Sequence, residues 1–441
     1  MVVDYLSSQL DWAGYQVSTK WGSGPSATST QDTPEFIEDF HTMSSFGATS
    51  GGGIDRQAAT DEDAAVRRWF HTWLESHDFR VEYDEIGNQY GLLNFIDGAD
   101  FILTGSHMDS QPLAGRFDGS YGVLASAHAA LEVKRRVEAG ELTPTHNLAV
   151  VNWFNEEGSR FTPSMMGSSV YTGKMDLTSA YESTALDGTT ARSELERHGF
   201  IGSFTPPKAA SYAEIHVEQG RGMDNSGATI GLVAETWGAK KFQVTVRGEQ
   251  GHTGSTLLAD RQDALFGASI VISELRRYAE AREGHPLQAS VSTMKVLPNS
   301  PVTIAREVQM NLDLRSPDWD TLNEGYAAVR DIVSKAELEA KVKIELTPTH
   351  EWKLSPYQPE GVHLADAVAT ELGLKHEQVQ TVAGHDSTNM KDTCPTVMLF
   401  IPSVDGISHN EAEFTKDEDM EDGVRMMTAT LTELCQGALN A

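Results

Sequence analysis

Between Thr60 and His77 (TDEDAAVRRWFHTWLESH) the apolar residues Val66, Trp69, Phe70 and Leu74 recur at helical spacing behind a threonine and a run of acids, which predicts a capped amphipathic helix. Beyond it the pattern alternates. Strand-like FRVEYD and YGLLNFI lead to FILTGSHMDS, a glycine-containing loop, a helix over roughly 120–138 and the buried-strand run NLAVVNWF. Strands and helices taking turns in this way predict an α/β layer with a mostly parallel sheet. Near Gly231 the period changes to two. KKFQVTVRGE, a long helix from about Arg261 to Ala281, QASVSTMKV, REVQMNLDLRS, a helix over 318–338 and KVKIELTP run in the order β-α-β-β-α-β, which predicts a compact ferredoxin-like α+β insert. From about residue 356 a helix (Val362 to Glu371), a short strand (PTVMLFIP) and a last helix (Glu418 to Gln436) return the chain to the first layer. The expected division is therefore one domain of residues 1–233 and 354–441 and a second of residues 234–353. The stretches STKWGSGPSATSTQDT (18–33) and GATSGGG (47–53) read as loops.

Length and charge narrow the field. A chain of 441 residues has room for two or three structural units, and no apolar run approaches the roughly 18 residues of a membrane span. Lys and Arg number 34 against 64 Asp and Glu, a formal charge of −30 that argues against nucleic acid or an anionic membrane surface as a partner. The same field repels anionic substrates, so a ligand bearing a carboxylate requires local arginines or bound cations. Two cysteines, Cys394 and Cys435, make no disulfide framework, and the N-terminus has no basic region followed by an apolar stretch. A cytoplasmic location is the expectation.

The candidate chemistry gathers at strand ends. His107 and Asp109 follow FILTG, where an open α/β sheet presents its functional groups, and an acid two residues from a histidine can accept the other ring N–H and fix the tautomer. Asp118 stands between glycines at the mouth of a predicted helix, placed either to bridge two cations or to cap that helix. Glu156 and Glu157 follow the run LAVVNWF; one could ligate a metal while the other holds a proton, or both could be surface acids. YAEIHVEQG supplies His216 and Gln219, and FIPSVDGISHNEAE supplies His409. A lone histidine more often packs or sits at the surface than binds metal. Here every one follows a β run in the same layer, which gives three imidazoles and two carboxylates of separate origin.

Taken together, GSHMDSQPLAGRFDGSYGVL, NEEGSRF, HVEQG, AGHDS and DGISHNEAE resemble the hydantoinase/carbamoylase amidases, in motif order and over roughly residues 50–430. That family includes N-carbamoyl-L-amino-acid hydrolases, allantoate amidohydrolase and yeast-type β-ureidopropionase; SQP and NEEGSRF lean toward the carbamoylase and β-ureidopropionase branches. The resemblance implies two divalent metal ions per subunit, zinc foremost, with manganese, cobalt or nickel also suited to such ligands. His107, Asp118 and His216 would hold one, and Asp118, Glu157 and His409 the other. Glu156 would be the general base, Asp109 the partner of His107, and His252 in RGEQGHTGST a donor to the oxyanion. Gln219, Arg315 and His385 would contact the substrate, with Arg315 forked on its carboxylate. The expected reaction is cleavage of a C–N bond in an N-carbamoyl amino acid, α or β, by a metal-bridging hydroxide, in a homodimer whose insert serves as lid and dimerisation domain.

The resemblance breaks in one place. The family has Asn thirteen residues before the arginine and then an I-P-G-E-V turn, whereas this chain reads PVTIAREV, with Val302 at the Asn position and Arg306 at the Gly. Asn299 is the candidate replacement. WGAKKF likewise departs from the usual aromatic and arginine-containing lead-in to the insert. These changes admit a second reading, hydrolysis of N-acyl amino-acid conjugates or dipeptide-like amides; a third, of another class, is a metal-free binding module on the same fold.

Overall fold

The computed structural model describes residues 33–439. The loop expected over 18–32 and the N-terminal residues behind the cytoplasmic expectation lie outside the described residues. Among the described residues no helix is long and apolar enough to cross a membrane.

Two helices, α1 (Thr33–Ser44) and α2 (Asp61–Ser76), precede the first sheet. The Thr60 hydroxyl accepts from the Asp63 N–H and starts α2, whose apolar stripe Val66, Phe70 and Leu74 is buried. Next come β1 (Arg80–Tyr83), β2 (Gln89–Leu93), β3 (Phe101–His107), α3 (Ser120–Glu138) and β4 (Asn147–Trp153). Three short helices, α4 (Met166–Tyr171), α5 (Leu177–Glu182) and α6 (Ala191–His198), then lead to β5 (Ala209–Val217), α7 (Gly222–Ser226) and β6 (Ile230–Thr236). No apolar period in the sequence announces α4 to α6.

The chain then leaves the first sheet for β7 (Gly238–Arg247), β8 (Gly251–His252), α8 (Ala264–Glu280), β9 (Gln288–Ser290), β10 (Met294–Leu297), β11 (Thr303–Ile304), β12 (Glu307–Ser316), α9 (Trp319–Ala340) and β13 (Lys343–Trp352); β8 and β11 pair only with each other, and the other strands form a second sheet. It returns through β14 (Ser355–Pro356), α10 (Pro359–Glu371), β15 (His376–Thr381), α11 (Asp386–Met390), β16 (Thr396–Ile401) and α12 (Asp417–Cys435).

The first sheet runs β1-β2-β4-β3-β5-β16-β6-β14, with β15 also on β6. Its centre, β4-β3-β5-β16, is parallel and its flanks are mixed. Parallel strands buried on both faces read as unbroken apolar runs, and every residue of β4 and β16 is buried. Helices α3 and α12 cover one face, with Phe36, Phe70, Leu124, Ile215 and Met427 in the core between. The carboxyl ends of β3, β4, β5 and β16 therefore open along one edge.

The second sheet is antiparallel throughout, in the order β10-β12-β7-β13. On β12 the buried residues Val308, Met310, Leu312 and Leu314 alternate with Gln309, Asn311, Asp313 and Arg315. The apolar face packs on α8 and α9 around Val244, Val246 and Val271; the polar face looks toward the carboxyl edge of the first sheet. The expected single strand QASVSTMKV is split into β9 and β10. Asn311 Oδ1 accepts from the backbone N–H groups of Ser292 at 3.1 Å and Thr293 at 2.7 Å, so a side chain takes the place of the ladder there. β13 reaches past KVKIELTP to Trp352 across an irregularity between Pro348 and His350, tolerable on an edge strand where proline's missing donor faces outward.

Candidate metal centre and cleft

The last residue of β3 is His107, and Glu156 and Glu157 follow the adjacent β4 by three and four residues. His216 is the penultimate residue of β5, and His409 lies in the loop after β16. Asp118 sits just ahead of α3 and meets them all. Its Oδ1 is 3.0 Å from His216 Nε2 and 3.7 Å from His107 Nε2. Its Oδ2 is 3.3 Å from His409 Nε2, which in turn lies 3.5 Å from Glu157 Oε2. Two groups of ligand atoms result, His107 with Asp118 and His216, and Asp118 with Glu157 and His409, each spanning no more than 4.8 Å. One carboxylate is common to both.

The imidazoles are already oriented. His107 Nδ1 donates to the Asp109 carbonyl and His216 Nδ1 to the Val217 carbonyl, both at 2.9 Å, so each ring presents Nε2 on the side of Asp118, and that of His216 lies 2.9 Å from the Gly119 backbone nitrogen. Close packing demands glycine at 119: its φ is +63°, and a Cβ there would lie 2.2 Å from His107 Nε2. Asp118 is fixed from behind by Glu413, whose Oε1 accepts the backbone N–H groups of Phe117 at 3.1 Å and Asp118 at 3.0 Å. Arg56, fully buried, donates through Nε to the Met108 carbonyl at 2.8 Å and holds the loop between His107 and Asp109.

Asp109 differs from expectation. Its carboxylate stands 3.7 Å from His107 Nδ1, and its own carbonyl is the nearer acceptor. The carboxylate instead accepts the backbone N–H groups of Glu156 at 3.1 Å and Glu157 at 3.3 Å, so it positions the two glutamates. Gln111, two residues on, donates to Glu157 Oε2 at 2.9 Å.

So many acids in one buried place repel each other. Burial, joined by Asp386, Glu157, Asp109 and Asp118, pushes the Glu156 carboxyl well above the usual range. Burial and then Asp118 push Glu157 to about 8. Asp118 goes the other way: burial opposes ionisation, but the His216 and His409 imidazoles hold it well below the usual range. Burial lowers His107 to about 4, which keeps its lone pair free. Glu157 Oε1 is buried without a hydrogen-bond partner. An orphaned carboxylate oxygen, excess buried acid, two oriented imidazoles and the third of His409 form a donor set that suits divalent cations.

A cleft of about 450 Å³ separates this centre from the polar face of the second sheet. Gln219 lines it, donating through Nε2 to Asp118 Oδ2 and Ser408 Oγ, both at 3.0 Å. His385 lines it too, its ring centroid 4.5 Å from that of His216, and burial holds it well below the usual histidine range, hence neutral. Arg315 faces the cleft from the second sheet, but its guanidinium is engaged: Nη2 meets Asp313 Oδ2 at 2.9 Å, Nε lies 3.2 Å from Oδ1, and Nη1 donates to the Val382 carbonyl at 2.9 Å.

The structure does not bring Asn299 or His252 to this cleft. Asn299 is exposed in a turn after β10, with φ at 56°. His252 is exposed on β8, which pairs with β11 at Thr303 and so places it beside Val302, itself 60% exposed. Both lie beyond the Arg247–Glu307 end of the second sheet, Asn299 in a loop and His252 in the two-stranded ladder of β8 and β11, a placement that residue spacing does not encode. His252 Nδ1 accepts from the Gly254 and Ser255 N–H groups at 3.0 and 3.2 Å, leaving Nε2 to carry the ring proton. Sequence reasoning missed Glu413, Arg56 and Gln111; the only trace of Glu413 was its place four residues after His409 in SHNEAE.

The profile of peptidase family M20/M25/M40 matches residues 103–433. The chain is 50% identical over 413 residues to a Mycolicibacterium smegmatis protein described only as a hydrolase, covering 92% of this chain and 94% of that one. It is 31% identical to the N-carbamoyl-L-amino-acid amidohydrolase of Rhizobium meliloti, covering 84% of this chain and 89% of the relative. Among solved structures, a hydantoinase/carbamoylase family amidase from Burkholderia vietnamiensis superposes with a TM-score of 0.86 at 33% identity, over 92% of this chain and 98% of that one.

Proposed function

The chain belongs to peptidase family M20/M25/M40, among its hydantoinase/carbamoylase amidases, and on that premise we propose that it hydrolyses the C–N bond of an N-carbamoyl amino acid, α or β. The observation that carries the reading is the convergence of His107, Asp118, Glu157, His216 and His409 around a shared carboxylate, with Glu156 Oε2 3.5 Å from His107 Nε2. Two divalent cations, zinc foremost, held by those five residues would supply Lewis acidity toward the ureido carbonyl and acidify water. Glu156 accepts the proton of the attacking water and returns it to the departing nitrogen. Asp109, through the backbone of both glutamates, keeps that carboxyl aimed. Gln219 and His385 border the reacting carbon, and Arg315 lies across the cleft.

Residues 234–353 act as a ferredoxin-like lid and dimerisation domain over a catalytic domain of residues 1–233 and 354–441. A homodimer accounts for His252. Its ring is exposed and does not line its own subunit's cleft, as expected of a donor lent to the partner's oxyanion.

Ammonia release from a panel of N-carbamoyl α- and β-amino acids, set beside amine release from N-acyl amino acids, tests the reading. Ureido substrates are expected to turn over and to stop doing so on chelation. Silence on every ureido compound, with turnover of the acyl series, would transfer the site to acyl conjugates; less than one equivalent of cation after reconstitution would leave a binding module.

A further inference from the structure

Two cationic side chains, Arg315 and Lys241, line the second-sheet side of the cleft, with Asp313 as the acid between them. Their situations differ. The Arg315 fork is closed on Asp313 and the Val382 carbonyl, so its planar face of donors is turned to its own chain. Lys241 is the cross-strand neighbour of Asp313, yet its Nζ stands 3.5 Å from Asp313 Oδ2, beyond the 2.7–2.9 Å of a charge-assisted hydrogen bond. Its Nζ also lies over the face of Trp352, 5.1 Å from the ring centroid. An ammonium has three donors, and this one is only 30% exposed, so it is poorly served by water as well as by protein. Two cations facing one carboxylate leave a surplus positive charge in a chain of net charge −30. Opposite lie the acids of the metal centre.

We infer that Lys241 docks the carboxylate of the substrate in this chain, in place of the amide that Val302 does not provide. The inference rests on the reading of the substrate as a small amide with a carboxylate, ureido or acyl. A point charge on a flexible stem, unlike a planar fork, tolerates a carboxylate at either the α or the β distance from the scissile bond. The neighbouring Trp352 face and the Gln243 and Asn311 amides give that end of the cleft an amphipathic lining for the rest of the molecule.

The test is calorimetric, in a Glu156→Gln background that binds without turnover. Ligands are N-carbamoyl-β-alanine, N-carbamoylalanine and N-acetylalanine, each beside its carboxamide. Lys241→Met is expected to weaken the acids at least about tenfold and the carboxamides less than about twofold, and Lys241→Arg to recover most of the loss. Lys241→Gln, which keeps a polar head against Asp313, is expected to behave as Lys241→Met does, so that poor folding of one variant leaves the other. An unchanged ratio of acid to carboxamide affinity would overturn the inference and leave Lys241 as an ion-pair partner of Asp313. Binding of the acetylated acid but of no ureido ligand would sink the ureido reading while still testing Lys241 on the acyl series. Failure of every acid to bind the parent protein would overturn the Lys241 assignment.

Discussion

The two sides of the cleft are built on opposite principles. On the side of the parallel sheet, His107, Asp118, Glu156 and His216 are buried, crowded with like charge and fixed by backbone groups, Glu413 and Asp109. On the side of the antiparallel sheet, Lys241, Gln243, Asn311 and Arg315 stand partly in solvent on one polar face, the two cations beside Asp313, Gln243 donating to the Met310 carbonyl and Asn311 bonded to Ser292 and Thr293. The first side is costly to form: buried acids without counter-charge oppose folding, so its residue types tolerate little change. The second is a half-wet sheet surface on which one polar residue can replace another cheaply. On the proposed function, reaction chemistry belongs to the first side and substrate choice to the second. The departures from the family pattern, at 302, 306 and in WGAKKF, all lie in the second sheet or its approach.

The sharpest way to break that division is to remove a group from the buried side that ligates nothing. Glu156→Gln is expected to lower kcat by about a thousandfold, within the range for losing a positioned acid–base group, while metal content by elemental analysis stays at the parent value. Near-normal turnover would remove Glu156 as the proton carrier; loss of metal would mean that it holds the centre together.

Legibility follows the same division. The candidate metal-centre residues were readable because His107 and His216 stand at the end of a strand and Glu156, Glu157, His409 and Asp118 follow one by three to eleven positions, the apolar runs are unmistakable, and a parallel sheet collects such ends along one edge. Asp109 was read in the right place with the wrong acceptor, because only the fold shows that the N–H groups of Glu156 and Glu157 turn toward it. In the second sheet the strands were readable from their period of two, but apart from Arg315, named through the family resemblance, not which residues reach the cleft. Asn299 and His252 lie beyond its end, and Lys241 faces inward by register alone. Asn311 shows the limit most plainly: its amide replaces backbone ladder bonds and splits a strand that the pattern leaves whole.

His252 tests whether the outer end of the second sheet takes part in chemistry at all. His252→Ala is expected to lower kcat about a hundredfold without changing metal content, the scale of one oxyanion donor. Mixing His252→Ala with Glu156→Gln then makes the comparison quantitative. If the imidazole serves the partner, a mixed dimer holds one whole cleft, and after random exchange activity recovers to about a quarter of the parent value. No recovery on mixing, with both variants dimeric by light scattering, would place His252 in its own subunit's reaction or outside the reaction altogether.

The smallest change reads the neighbouring turn. Val302 is 60% exposed and β11 follows it directly, paired to the strand that carries His252, so the two residues share whatever surface that end of the sheet meets. If it meets a partner's cleft, an amide at 302 would add a donor to the substrate carboxylate. A hydrogen bond to a charged group contributes about 1.5 kcal/mol at the low end, so Val302→Asn is expected to lower KM for an acid substrate about tenfold and leave kcat unchanged. The carboxamide of the same substrate is expected to gain far less. A KM unmoved for both would mean that this turn faces solvent in the working enzyme, and that recognition is confined to the side chains of β7, β12 and β13 lining the cleft.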